Sequence, residues 1–347
     1  MICTSARNRS AVAATQPLAS RDAAAWWMCV AVSTGVFAGA QLWAAASWAQ
    51  TPPAGAPAVS SQPAAGTPLP AKAAPAAKDL FGAQRAAAPL QARAIGFYAK
   101  GCLAGGRQLA IDGPAWQAMR LSRNRNWGHP DLIVIIERLA EDARQLDGWP
   151  GLLVGDISQP RGGPMLTGHA SHQIGLDADI WLTPMPPQRL SAQQREELSA
   201  TSMLAESQLA VDPRHFTERH LRLLKRAASI AEVERILVHP AIKKSVCEAT
   251  AKDQDRSWLS KIRPTWGHEH HFHMRIGCPR GTTGCVVQAP TPGDDGCGKE
   301  LADWYVLLTR PPKPEPPTPP KPPMTLADLP QECRIVLEAG GVPAQKP

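Results

Sequence analysis

The chain has 347 residues with 35 Pro, eight Cys and a formal charge of +7, and its long Ala/Pro tracts leave foldable sequence for one ordinary domain rather than two. Without residues 1–49 the balance is 34 basic against 29 acidic, which is mildly positive. No compact Lys/Arg stripe with interleaved aromatics is present, which excludes a nucleic-acid binder and suits an anionic wall or carboxylate-rich substrate.

Arg7 and Arg9 precede an uncharged run from Ala23 to Ala49 that ends in small residues, with Ser47 and Ala49 flanking a cleavage point. We read residues 1–49 as an export signal addressed to the periplasm. The run also exceeds the roughly 20 apolar residues that span a bilayer, so a membrane contact is expected only if the signal stays uncleaved as an anchor. Residues 50–78 are Ala/Pro-rich and poor in branched and aromatic side chains, which predicts an extended tether. The domain itself is expected over 79–310. A polyproline tract then opens an arm and tail, 311–347, that carries Cys333.

Cys3 and Cys29 fall in the leader. The other six, Cys102, Cys247, Cys278, Cys285, Cys297 and Cys333, are an even number in an oxidising compartment and predict three disulfides. Residue spacing suggests only Cys278 with Cys285 as a local pair, and the absence of C-x-x-C argues against a structural zinc site.

Along the domain, "AWQAMRL" and "GLLVGDI" read as strands. Between them, "DLIVIIERLAEDARQLDG" places Leu132, Ile135, Leu139, Ala143 and Leu146 at helical spacing and closes on Gly148. "GLDADIWL" is a further strand, and "RLSAQQREELS" offers Ser191 and Gln194 as a capping box. A helix is expected from Asp212 as N-cap with Pro213 at the first position, then a strand "RILVH", a short helix after Pro240, and a final strand "HHFHMRI". Strands mixed irregularly with helices predict an α+β fold, with a small, mainly antiparallel sheet flanked by helices and long loops and stapled by disulfides.

The stretch His268–Arg275, "HEHHFHMR", begins like a helical zinc-protease motif, but H-E-x-x-H fails because Phe272 stands where the second His is needed. As a strand it alternates: Phe272, Met274 and Ile276 point one way, and His271, His273 and Arg275 the other. His270 falls on the apolar side. "GLDADIWL" likewise divides Leu176, Ala178, Ile180 and Leu182 from Asp177, Asp179 and Trp181. Pairing of these strands would gather Asp and His above one sheet, close to His169 and His172 in "GHASH". Two His, one carboxylate and an open position make a catalytic zinc site. The spacing selects His172, Asp179 and His273 as ligands.

"KDLFGAQ", "FYAKGCLAGG", "MRLSRNRNWGHP", "VGDISQPRGGPMLTGHASHQIGLDADIWL", "LVHPAIKKSVC", "KIRPTWGHEHHFHMRIGCP" and "DDGCGKELADWY" together resemble the penicillin-insensitive murein endopeptidases. These are zinc enzymes of the lysostaphin, D-Ala-D-Ala metallopeptidase and hedgehog-like group. The resemblance runs from about Asp79 to Tyr305, with the Pro tract and tail Cys. It implies zinc on His172, Asp179 and His273, with His271 as general base or transition-state stabiliser and His169 and His268 as the remaining motif histidines. It implies hydrolysis of the D-Ala to meso-diaminopimelate cross-link of peptidoglycan. It also implies the pairs Cys102–Cys333, Cys247–Cys297 and Cys278–Cys285.

On this frame Asp177 is expected to orient a ligand His from behind. Arg161, or Arg123 and Arg125, are expected to clamp substrate carboxylates. Alternatives are a zinc D,D-carboxypeptidase or another wall-peptide hydrolase and, in other classes, a non-haem iron oxygenase, whose ferrous cofactor the export signal disfavours, or a non-catalytic wall- or metal-binding protein. Oligomeric state stays open.

Overall fold

A computed structural model describes residues 74–310 and 321–340. The leader over 1–49, the tether as far as residue 73 and the start of the Pro-rich arm lie outside the described residues. In chain order the elements are α1 (Ala77–Gly82), β1 (Arg93–Phe97), β2 (Lys100–Ala104), β3 (Arg107–Gln108), β4 (Trp116–Ala118), β5 (Trp127–Gly128), α2 (Pro130–Leu146), β6 (Leu152–Val154), β7 (Asp177–Trp181), α3 (Ala192–Glu197) and α4 (Glu218–Ser229). There follow β8 (Val233–Val238), α5 (Pro240–Ala249), β9 (Ile262–Pro264), β10 (His271–Ile276), α6 (Lys299–Thr309) and α7 (Glu332–Glu338). No helix among the described residues is long and apolar enough to cross a membrane.

The fold is α+β. Six strands form one sheet in the order β4-β6-β7-β10-β8-β9. Its three inner pairings are antiparallel, and its two edge pairings, β4 with β6 and β8 with β9, are parallel. Helix α2 starts where His129 accepts the Asp131 N–H with Pro130 at the first position, and ends where Gly148 takes a φ of +67°. Its buried stripe includes Leu132, Ile133, Ile136 and Leu139, each contributing roughly 1.5–3 kcal/mol relative to exposure. With Leu223, Leu224 and Ala227 of α4, this stripe covers the apolar face made by Ala178, Ile180, Phe272 and Met274. Asp147 at the end of α2 joins the two helices through Arg226.

Helix α4 does not begin at Asp212. Both oxygens of that carboxylate are occupied by Arg214, and one also accepts the Arg214 N–H in a turn. Thr217 is the cap instead, and its N–H donates to His220 Nδ1 at 3.0 Å. The Ser191–Gln194 capping box is present at α3.

A second, smaller core joins the two ends of the described chain. Ala77 and Phe81 of α1, Ile95 and Cys102 of the β1–β2 hairpin, and Cys333 and Val336 of α7 pack together. Thus Ala77 and Lys78, assigned to the tether by composition, already belong to a helix. Bonds Cys102–Cys333, Cys247–Cys297 and Cys278–Cys285 are all formed. The hairpin is fastened to the main sheet by Tyr98, whose hydroxyl donates to Ile276 O at 2.7 Å and whose ring lies 3.9 Å from the Arg275 guanidinium.

Candidate metal centre

Strands β7 and β10 pair with His273 opposite Asp179, Arg275 opposite Asp177 and His271 opposite Trp181. Alternation sends their apolar side chains into the core and leaves Asp177, Asp179, His271, His273 and Arg275 on one face. That face is itself covered, since Asp177 is 0 % and Asp179 4 % exposed. His172 enters from the loop ahead of β7 with a φ of +68°. Its N–H donates to Asp177 Oδ2 at 2.9 Å, and its carbonyl accepts from Ser158 Oγ at 2.6 Å.

The tautomer of His172 follows from its partner. Nδ1 lies 2.6 Å from the Ile157 carbonyl, which can only accept, so Nδ1 carries the proton and Nε2 is bare. That buried Nε2 has no hydrogen-bond partner among the described residues and faces Asp179 Oδ1 at 3.5 Å. A lone pair opposed to a carboxylate in a dry site is repulsive unless a cation stands near both. The same oxygen is 3.2 Å from His273 Nδ1 and 3.7 Å from His271 Nε2. Three imidazoles therefore converge on one oxygen.

Behind them, Asp177 Oδ1 is 3.1 Å from His273 Nε2 and accepts from Arg275 Nε at 2.6 Å. Burial opposes the charge of both carboxylates, yet His273 and Arg275 hold Asp177 well below the usual range, and the imidazoles around Asp179 do the same for it whenever they carry charge. Burial disfavours a charged His273, but the two carboxylates outweigh it and push the imidazole up to about 9. His271, desolvated and only partly compensated by Asp179, is pushed down to about 4. Imidazole nitrogens with a carboxylate oxygen are the donor set of zinc and similar divalent ions. The orphaned His172 nitrogen makes the residues present a fit for such an ion.

His169 is also at the site, and its donor atom, that of His172 and that of Asp179 lie within 4.8 Å of one another. His169 Nε2 is 3.4 Å from Asp179 Oδ2 and 3.0 Å from Asp156 Oδ2. His268 has a φ of +62° and donates Nδ1–H to the Trp266 carbonyl at 2.8 Å, with its ring 4.8 Å from that of His271. His270 precedes the strand rather than sharing its apolar face, and it borders the groove beside His271.

The arginines divide. Arg161 does not reach the centre: it is buried and donates to the carbonyls of Ala86, Val336 and Leu337, so it ties down the tail instead of offering itself to substrate. Arg125 is buried on Asp156 at 2.8 Å and on the Thr167 carbonyl at 2.9 Å. Arg123 reaches the same Asp156 oxygen at 3.1 Å with a half-exposed side chain.

Asp156 escaped sequence reading, although "GDIS" between a strand and a Gly-rich loop was the available signal. The Asp156 carbonyl accepts the Asp179 N–H at 3.0 Å, Ile157 holds His172, and Ser158 holds the His172 backbone. Gly155–Ser158 is thus a backing strip for the whole cluster.

A cavity of about 390 Å³ opens over the site, lined by Arg120, Arg123, Asp156, His169, Asp179, Trp181 and His271 among others. A larger one, about 550 Å³ beside Trp149 and Arg214, has no residue of the cluster in its wall. An α+β sheet whose central strands set clustered imidazoles and carboxylates on the floor of a groove has the layout of a metallohydrolase.

Comparison with known proteins narrows that class. A family profile described as penicillin-insensitive murein endopeptidase matches residues 94–338. A relative of that name from Haemophilus influenzae is 44% identical over 224 residues, spanning 65% of this chain and 76% of the relative. Another from Klebsiella pneumoniae is 39% identical over 247 residues, 71% of this chain and 86% of the relative. A third, from Yersinia enterocolitica, is 42% identical over 214 residues, 61% and 76% respectively. The chain belongs to the penicillin-insensitive murein endopeptidase family and is a peptide-bond hydrolase.

Proposed function

We propose that the chain is a zinc-dependent murein endopeptidase, delivered to the periplasm by residues 1–49, that hydrolyses the D-Ala to meso-diaminopimelate cross-link of peptidoglycan. Its zinc ligands are His172 through Nε2, Asp179, and His273 through Nδ1. The single observation that carries the metal assignment is the buried, unpartnered His172 Nε2 facing Asp179 Oδ1. Family membership supports the substrate.

A divalent ion in this position supplies a Lewis acid for the scissile carbonyl and a more acidic water. The protein supplies the rest. Asp177 accepts a hydrogen bond from His273 Nε2–H and so presents Nδ1 forward. His271 is neutral at physiological pH because burial disfavours its charged form, which leaves it able to accept a proton and then return it to the leaving amine. His268, with Nδ1 committed to Trp266, offers a bare Nε2 beside His271 and steadies it. Among the three arginines Arg123 is the one whose exposed side chain lines the groove, and it is our candidate for a substrate carboxylate.

The test is digestion of diaminopimelate-type sacculi with the purified chain, with chelator, and after zinc restoration. Cross-linked dimers should fall to monomers, stop on chelation and resume with zinc. Release of free D-Ala without loss of dimers would make the protein a carboxypeptidase. Digestion indifferent to chelator would end the metal assignment.

A further inference from the structure

We propose that Asp156 is a positioning residue that holds His169 out of the coordination sphere and so keeps one position of the metal site open. This inference rests on the ligand assignment above.

Two ligand sets compete for the same ion. Both contain His172 and Asp179. The third member is His273, whose Nδ1 is 3.2 Å from Asp179 Oδ1, or His169, whose Nε2 is 3.4 Å from the other oxygen, Oδ2. His169 stands within reach of the same ion, since its donor atom and those of His172 and Asp179 lie within 4.8 Å of one another. If His169 joined the first set, four protein groups would surround the ion. Catalytic zinc sites keep three protein ligands and leave a position for water or substrate, whereas four protein ligands make a closed, structural site.

The geometry identifies what holds His169 back. Its Nε2 lies 3.0 Å from Asp156 Oδ2. A nitrogen whose proton is donated to a carboxylate has no lone pair for a metal. Asp156 is itself pinned, since the same oxygen accepts from Arg125 Nη1 at 2.8 Å and Arg123 Nη1 at 3.1 Å, and its carbonyl is bonded to the Asp179 N–H on β7. His169 has no comparable support of its own. It sits between exposed Gly168, with a φ of +86°, and exposed Ala170. Its ring already packs 4.3 Å from that of His172. A small rotation would bring it onto the ion, and the Asp156 hydrogen bond is what opposes that rotation.

The experiment compares the full chain with Asp156→Ala, His169→Ala and the double variant. Zinc affinity is read by competition with a chromophoric chelator, and coordination by the visible absorption of the cobalt(II)-substituted protein. Asp156→Ala, which frees His169 as a fourth protein ligand, should bind zinc about tenfold more tightly, shift the cobalt spectrum toward that of a site closed by four protein ligands and lose turnover. Adding His169→Ala should return affinity and spectrum to those of the wild type and restore part of the turnover. His169→Ala alone should keep zinc affinity within about twofold of the wild type, and this arm decides the matter if Asp156→Ala does not fold. A tenfold or greater loss in His169→Ala would make His169 a resident ligand and overturn the proposal, as would an unshifted cobalt spectrum in folded Asp156→Ala. Failure of the wild type to bind zinc would instead remove the ligand assignment and, with it, this inference.

Discussion

His273 stands opposite Asp179 in the β7–β10 ladder while its far nitrogen is 3.1 Å from Asp177, so one imidazole is gripped between two buried carboxylates. Replacing Asp177 tests that grip. In Asp177→Asn the charge that orients His273 and pairs with Arg275 is gone. Zinc affinity should fall ten- to a hundredfold by the usual effect of a lost outer partner. Chelator competition and thermal melting together check it. Stability should drop by about 3–5 kcal/mol, because buried Arg275 is left without its carboxylate.

His271→Ala separates chemistry from metal binding. Turnover of sacculi should fall about 10²- to 10⁴-fold, the usual contribution of a general acid–base group, with zinc stoichiometry intact. Loss of zinc along with activity would move His271 into the ligand set.

His129 and His239 cap α2 and α5 by accepting the N–H groups of Asp131 and Ala241 at Nδ1, and burial pushes both imidazoles below their ordinary pKa. A protonated Nδ1 cannot accept. As pH falls below about 6.5, the unfolded chain takes up protons that the native caps resist, so stability declines until the native pKa values are passed. His129→Asn with His239→Asn keeps a cap that does not titrate in this range. Melting temperatures at pH 7.5 and 5.5 should differ more for the wild type than for the double variant.

Arg161→Met should act on stability and not on substrate binding. Its charged hydrogen bonds to three carbonyls are lost, and at about 1.5–3 kcal/mol per charged bond the cost is expected to reach about 4.5–9 kcal/mol where water does not replace them. Below the melting range KM for sacculus fragments should stay at the wild-type value. A raised KM with an unchanged melting curve would restore the clamp.

Much of the centre was legible because period-two alternation in "GLDADIWL" and "HHFHMRI" specifies faces, and two such strands with polar faces have few ways to pair. Alternation alone puts His273, Asp179 and Asp177 on the polar faces of strands that do pair. Arg161 misled because charge type reveals nothing of burial; its partners are carbonyls from segments more than 70 residues away in either direction. Asp156 was invisible for the same reason, since its partners Arg125, His169 and Asp179 come from three different segments. The β1–β2 hairpin, rich in Gly and Ala, has no alternation to announce it. The start of α4 was misplaced because an Asp-Pro pair satisfies itself with Arg214 as readily as it caps a helix.

The Cys102–Cys333 bond joins partners 231 residues apart, and Arg161, in the loop between β6 and β7, is held by carbonyls just beyond Cys333. A chain emerging amino end first therefore completes its strands, including β10 and its histidines, before the segment that braces the loop exists. Full competence to cut wall should arrive only with those last residues. A hydrolase of the cell wall would thus stay blunt until its tail has docked.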